Sequence, residues 1–503
     1  MDRGAGILMH IASLPGDFGI GTLGKEAYNF ADFIKKAGFK YWQILPLGHT
    51  GYGDSPYQCF SAFAGNPYFI DFELLKDENL LKEEDYINED YGDSSVKIDY
   101  GKIFEVKYDI LKKAYENFKT SNLDEVKKEF QDFKDEKASW LEDYSLYMAI
   151  KYKFDLKSWY EWDDKLKRRD KAALDKYKIE LEDEIEYWSF LQYLFYKQWK
   201  ELKNYVNDLG IEIIGDIPIY VASDSADTWS MPENFQINQE TLEPIAVAGC
   251  PPDVFSETGQ LWGNVIYNLD NMKKNNYKWW KTRIKESLTL YDVLRIDHFR
   301  GFESYWSIPY GDKTAQNGKW VKGPGIDLFN EIKKELGELN IIAEDLGFLT
   351  DDVIEFLKET GFPGMKILEF AFDGNADNAF LPHNYSRKCI AYTGTHDNDT
   401  VLGWYEKTSS KEERKRAKLY LGLNARPEGY NWGFLRGVWS SIADVAIAPT
   451  QDFLSLGNDA RMNFPSTMGS NWMWRVDKNK LTDELAKKIY KFSEVYGRCE
   501  GNE

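Results

Sequence analysis

Seven short apolar runs, each ending in polar residues, recur along this chain and leave it few folds to adopt. They are FKYWQILPLG (39–48), IEIIGDIPIYV (211–221), VLRIDHFRG (293–301), IIAEDLG (341–347), MKILEFAF (365–372), IAYTGTHD (390–397) and VAIAPTQD (445–452). A run that is apolar throughout, without alternation, fits a strand covered on both faces, as in a parallel sheet. Helical periodicity lies between the runs, as in AYNFADFIKKAG (27–38) and DDVIEFLKETG (351–361). Strand and helix in alternation define the α/β class. Polar residues gather at the C-terminal ends of the runs, where barrel enzymes build their sites. No GxGxxG fingerprint follows the first run, so the expectation is a (β/α)8 TIM barrel and not an open doubly wound sheet. The eighth strand is placed around 62–71.

Residues 72–209 break this rhythm. They are rich in Lys, Glu, Asp and Tyr, and 123–154 and 183–206 carry long helical periodicity. They read as a mostly helical insertion within one catalytic barrel spanning 1–503, with their charge runs as solvated helix faces. The net charge is −20, which argues against nucleic acid and anionic membranes as partners, since both require basic patches. No stretch approaches the length of a membrane span. The start, MDRGAGILMHIASLPGDF, lacks the basic and apolar segments of a signal peptide. Cys59, Cys250, Cys389 and Cys499 form no CxxC pair, so neither a disulfide scaffold nor a zinc ribbon is implied. The expected compartment is the cytoplasm. Aromatic residues reach 16% of the chain, which suits a bulky core and also suits stacking on sugar rings.

Three run ends carry acids: Asp297 in RIDHFRG, Glu344 in IIAEDLG and Asp397 in GTHDND. Glycoside chemistry needs two carboxyls, one to protonate the leaving oxygen and one to attack the anomeric carbon or activate water. Asp297 suits the nucleophile, because Arg295 lies two residues earlier on the same strand face and would keep it ionised. Glu344 suits the acid, because it follows a buried strand and desolvation raises a carboxyl pKa. Alternation turns the neighbouring Asp345 away from it. Asp397 suits sugar hydroxyls or the charge of the transition state. A single Asp at a strand end is more commonly a helix cap; three such ends on one barrel favour a site. Of five histidines, His298 adjoins Asp297 and His396 adjoins Asp397. Core packing and a metal site are the alternatives for them; no HxH or HExxH spacing occurs, and donors to sugar hydroxyls are the preferred reading.

Taken together, RIDHFRG, AEDLG and YTGTHDNDT resemble the 4-α-glucanotransferases of glycoside hydrolase family 77. The resemblance covers essentially the whole chain. RGAGILMHIASLPGDFGIGTLG, WQILPLGHTGYGDSPYQCFSAFAGNPYFID, GDIPIYVASDSADTW, AGCPPDVFSETGQLWGN and GNDARMNFP look like the family's own segments. It implies a (β/α)8 barrel with helical insertions and no C-terminal β-sandwich. It implies Asp297 as nucleophile, Glu344 as acid/base and Asp397 as transition-state stabiliser. Ser55, Tyr57, Asp216, Phe255, Glu257, Trp262, Arg295, His298, His396 and Asn463 would bind substrate. Tyr57 would be the platform beneath the sugar at the cleavage site. Residues 222–292 would hold a small insertion and, at 248–264, the acceptor-side loop. No metal and no cofactor is implied. The implied substrates are α-1,4-glucans such as maltodextrins, amylose and glycogen. The chain departs from the family at Val254, where Tyr is usual, at Val265, where Pro is usual, and at Ser466, where Gly is usual. The implied activity is retaining transfer through a covalent glucosyl-Asp intermediate. A retaining hydrolase and a non-catalytic glucan-binding barrel are the competing readings.

Overall fold

The computed structural model describes residues 1–51, 53–252, 256–347, 349–423, 429–467 and 469–499. Its centre is a parallel sheet of eight strands: β1 (Gly4–Leu8), β2 (Tyr41–Gln43), β3 (Glu212–Ile217), β4 (Val293–Ile296), β5 (Ile341–Ala343), β6 (Gly364–Ile367), β7 (Cys389–Tyr392) and β8 (Val445–Pro449). The order is β6-β7-β8-β1-β2-β3-β4-β5. The ring closes where the Ala343 N–H donates to the carbonyl of Pro363, just before β6, at 3.0 Å. The strands are shorter than their apolar runs. Beyond each strand the chain bends into turns, and those turns carry the polar residues.

The eighth strand is not at 62–71. That segment contains a 3-10 turn, Pro67–Phe69, capped by the Asn66 side chain. The strand is GAGIL at the start of the chain, buried at all five positions. Glycine makes it a poor strand by propensity, but at Gly6 an added Cβ would lie 2.7 Å from the Tyr41 carbonyl, so the close approach of β2 requires glycine there. Arg498 latches this first strand to the last. It donates to the carbonyls of Gly4 (3.1 Å), Trp439 (2.8 Å) and Ala443 (3.0 Å), while its own carbonyl accepts from Ala5 (3.1 Å).

Three long helices, Tyr100–Thr120, Asp124–Lys153 and Glu182–Asp208, dominate the stretch between β2 and β3. They dock on the barrel through His49, whose ring nitrogens meet the hydroxyls of Tyr144 (2.8 Å) and Tyr108 (2.9 Å). Burial pushes the His49 pKa down to about 3, so it is a neutral core histidine. Seven of the 17 tryptophans are fully buried, so much of the aromatic excess is core. A second, antiparallel sheet runs in the order Gln260–Val265, Ala246–Cys250, Ser304–Pro309, Lys319–Lys322. Sequence patterning did not reveal it, because its partners come from two separate crossovers. Val265 is buried in it opposite Val247. After β8 the described residues form helical turns and the helix Asp483–Val495, with no β-sandwich among them. No helix among the described residues is long and apolar enough to cross a membrane.

Candidate active site

The register of β3 against β4 sets the first element of the site. Asp216 and Arg295 are Cα partners, so both side chains emerge on one face of the sheet. Arg295 donates to Asp216 Oδ2 at 2.5 Å and, through its other terminal nitrogen, to Asp297 Oδ1 at 3.0 Å. The expected Arg295–Asp297 pairing is therefore present, and a second carboxylate shares the guanidinium. Asp216 has no exposure. Burial raises its pKa to about 6 even with Arg295 beside it.

Glu344 lies one ladder step further round. Its N–H donates to the Ile296 carbonyl (3.1 Å), and its own carbonyl accepts from Phe299 (3.0 Å), extending the β4–β5 pairing past the strand ends. Its two carboxyl oxygens accept from the backbone N–H groups of His298 (2.6 Å) and Leu346 (2.8 Å). His298, which gives the first of these N–H groups, has a left-handed backbone, at φ 51°. Burial, then the charge of Asp297, raise the Glu344 pKa well above the usual carboxyl range despite these donors. Asp345 points elsewhere, accepting from the Met365 N–H at 2.6 Å.

Asp397 closes the group from the turn after β7. Asn463 donates to its Oδ1 at 2.7 Å, and His396 Nε2 lies 3.4 Å from its Oδ2. Burial opposes its charge, but His396 and Asn463 outweigh burial and hold its pKa well below the usual range. Reciprocally, Asp397 overcomes the burial of His396 and raises the imidazole pKa. Tyr57 ties this end to Asp216. Its hydroxyl donates to Asp216 Oδ2 at 2.9 Å and, having given its one proton, accepts from His396 Nε2 at 2.9 Å. That assignment places a proton on Nε2, the nitrogen facing Asp397. Tyr57 and His396 also stack, with centroids 5.2 Å apart.

The remaining expected residues are less uniform. Trp262 meets His298 edge-on at 4.8 Å. Ser55 accepts from the Tyr57 N–H (3.3 Å), so it shapes the loop that presents Tyr57. Glu257 is exposed on a turn, its carbonyl accepting from Gln316, and among the described residues no hydrogen bond joins it to the carboxylates. Phe255 and Val254 lie outside the described residues. Ser466 adopts φ 63°, the left-handed region, which is why glycine suits that position. Two contributors were missed. Trp472 packs 5.8 Å from Tyr57 and 5.9 Å from His396, and Arg461 binds the Asp397 carbonyl at 2.5 Å. Both follow β8, and Arg461 sits inside GNDARMNFP, where an arginine between Ala460 and Met462 gave no local signal. Among the described residues no three of His, Cys, Asp and Glu gather as metal ligands.

A closed parallel barrel whose C-terminal rim sets an arginine-bound carboxylate beside a buried, proton-holding carboxyl has the parts of an enzyme that works on glycosidic bonds. Comparison narrows this class: the family model described as 4-alpha-glucanotransferase matches residues 9–481, and the chain belongs to that family. A 4-alpha-glucanotransferase of Clostridium butyricum is 59% identical over 492 residues, covering 98% of this chain and 100% of the relative. One from Thermus thermophilus is 44% identical, covering 99% of both chains. The solved amylomaltase of Streptococcus agalactiae in complex with acarbose superposes with a TM-score of 0.96 at 45% identity, covering 99% of this chain and 100% of that one.

Proposed function

We propose that this chain is a 4-alpha-glucanotransferase: it moves a segment of an α-1,4-glucan onto the 4-hydroxyl of another glucan or of glucose. The observation that carries the reading is the pair of carboxyls at one rim in unlike settings, Glu344 with its pKa raised by burial and Asp297 bound by Arg295. In the first half-reaction Glu344 gives its proton to the glycosidic oxygen while Asp297 attacks the anomeric carbon, and the shortened glucan leaves. Positive charge develops on the sugar ring, and Asp397, kept ionised by His396 and Asn463, stabilises it. In the second half-reaction Glu344 takes the proton of an incoming 4-hydroxyl, which displaces Asp297 and restores the α-linkage. Two inversions give net retention, in ping-pong order. Tyr57, with Trp472 behind it, offers the aromatic face beneath the reacting sugar. Asp216, Arg295, His298, His396 and Asn463 line the same rim. Trp262, in the strand Gln260–Val265, belongs to the acceptor-side segment, and excluding water there favours transfer over hydrolysis. Among the described residues no disulfide forms, which supports a reducing compartment, the cytoplasm.

A time course with pure maltotriose, following chain lengths and total reducing ends together, tests this. Longer maltodextrins plus glucose at constant reducing ends are expected. Reducing ends that rise without longer products would make the protein a hydrolase, and no change at all would leave a glucan-binding barrel.

A further inference from the structure

The turn after β7 carries Asp397, and the turn after β8 carries Asn463, which hydrogen-bonds to it. Neither turn is regular structure, so something must hold the two in register. One guanidinium spans them. Arg461 donates from Nε to the Asn463 carbonyl (2.7 Å) and from Nη2 to the Asp397 carbonyl (2.5 Å). Its remaining nitrogen, Nη1, binds Asp399. Asp399 is fixed in turn by Asn458 Nδ2 (2.9 Å), and Asn458 Oδ1 accepts from the Thr400 N–H (3.2 Å). A fourth contact ties the turns directly, the Asn463 N–H to the His396 carbonyl at 3.2 Å. The flat side of the guanidinium packs on Phe464, 4.5 Å from the ring centre. The pair is largely buried, with side-chain exposures of 15% for Arg461 and 9% for Asp399. Three separate acceptors in one plane suit the fixed fork of arginine and cannot be reproduced by the single ammonium of lysine.

We propose that Arg461, held by Asp399, is the positioning residue for Asp397: it locks the turns after β7 and β8 together so that the Asp397 carboxylate and the Asn463 amide meet at the place where positive charge develops. This rests on the reading of Asp397 as the stabiliser of that charge. Arg461 meets Asp397 only at its backbone carbonyl, so it acts through Asp397 and Asn463 and is not itself catalytic. Stabilisation by a fixed charge depends on that charge already standing in place before reaction. Freeing the turns therefore lowers kcat and leaves ground-state binding nearly alone.

Four variants test this: Arg461→Ala, Arg461→Lys, Asp399→Asn and, as reference, Asp397→Asn. Each is measured for disproportionation of maltotriose over a range of concentrations, with far-ultraviolet circular dichroism and melting as the check on folding. Arg461→Ala is expected to lose about 100-fold in kcat, the scale of one lost preorganised donor, with KM changed less than about threefold. Added guanidinium is expected to restore at least about tenfold of the Arg461→Ala loss and none of the Asp397→Asn loss, because it refills only the fork's place. Arg461→Lys and Asp399→Asn, which preserve bulk and most packing, are expected to fall between wild type and Arg461→Ala, and they carry the test if the alanine variant fails to fold. If folded Arg461 variants keep kcat while Asp397→Asn is inactive, the clamp is wrong and the reading of Asp397 stands. If the kcat loss is not restored by guanidinium and simply follows lowered melting in every variant, Arg461 is structural only and the proposal falls. If Asp397→Asn keeps full kcat, the reading of Asp397 falls and takes the clamp with it.

Discussion

Replacing Asp216 by Asn probes the electrostatics of the rim in a way that activity cannot. Asp216 is completely buried, and its pKa rises from 3.8 to about 6 on folding. Below pH 3.8 the folded and unfolded chains both keep the proton, and the site carries no penalty. As pH climbs, the unfolded chain ionises first while the folded one resists, and above about pH 6 the native state bears the whole difference. That difference is worth about 3 kcal/mol, of which about 2 develops between pH 4.5 and pH 8. Asparagine has no proton to lose, so the variant escapes this dependence. The partner that Arg295 loses is a constant offset and cancels when the two pH values are compared. With an unfolding entropy of about 2.1 cal/mol/K per residue over 503 residues, 2 kcal/mol corresponds to a melting shift of about 2 °C. Differential scanning calorimetry of both proteins at the two pH values reads it. The melting temperature of Asp216→Asn relative to wild type should rise by that amount from pH 4.5 to pH 8. A relative shift that falls with pH would mean that Arg295 wins over burial and that Asp216 is a stabilising anion.

Four further outcomes are expected. The raised pKa of Glu344 means that kcat/KM declines as pH rises through it, since the leaving oxygen needs its proton; Glu344→Gln should lose about 10²–10⁴ in rate, partly recovered in the first step by a leaving group that needs no protonation. Asp297→Asn should abolish turnover and lower the Glu344 pKa, since the charge of Asp297 is the second cause of its rise; infrared titration of the carboxyl band reads this, and an unmoved band would leave burial as the sole cause. Tyr57→Phe removes a hydroxyl shared by Asp216 and His396 and should cost about 1.5–3 kcal/mol in kcat/KM, roughly 10- to 100-fold, measured by maltotriose kinetics. Ser466→Gly relieves a left-handed backbone at φ 63° and should stabilise by about 1 kcal/mol, seen as a melting temperature higher by about 1 °C.

What the sequence made legible was local. The apolar runs are read within a few residues, and seven of the eight barrel strands follow from them. Arg295 and Asp297 are two apart in one run, so their pairing is visible in the string. GAGIL escaped notice because its glycines answer to a neighbour, Tyr41, that only the fold brings near. The same holds at the site. Tyr57 meets Asp216 and His396 across 159 and 339 residues, and no pattern in the chain marks Arg461 as the bridge between two turns. The left-handed backbone of His298, whose N–H meets Glu344, is a property of a turn whose residue type does not demand it. Long-range register and backbone direction are where reading along the chain stops.

The pairing of β1 with β8, latched by Arg498, also governs how the molecule is born. A ribosome makes β1 before its partner, which follows roughly 440 residues later; at about 5–20 residues per second, the first strand waits about 20 to 90 seconds with one edge unpaired. During that interval GAGIL is brief and glycine-rich, a weak template for stray pairing. Pairing of β1 with β8 therefore comes late, and the nascent sheet stays open at this edge until β8 and the segment bearing Arg498 have been made.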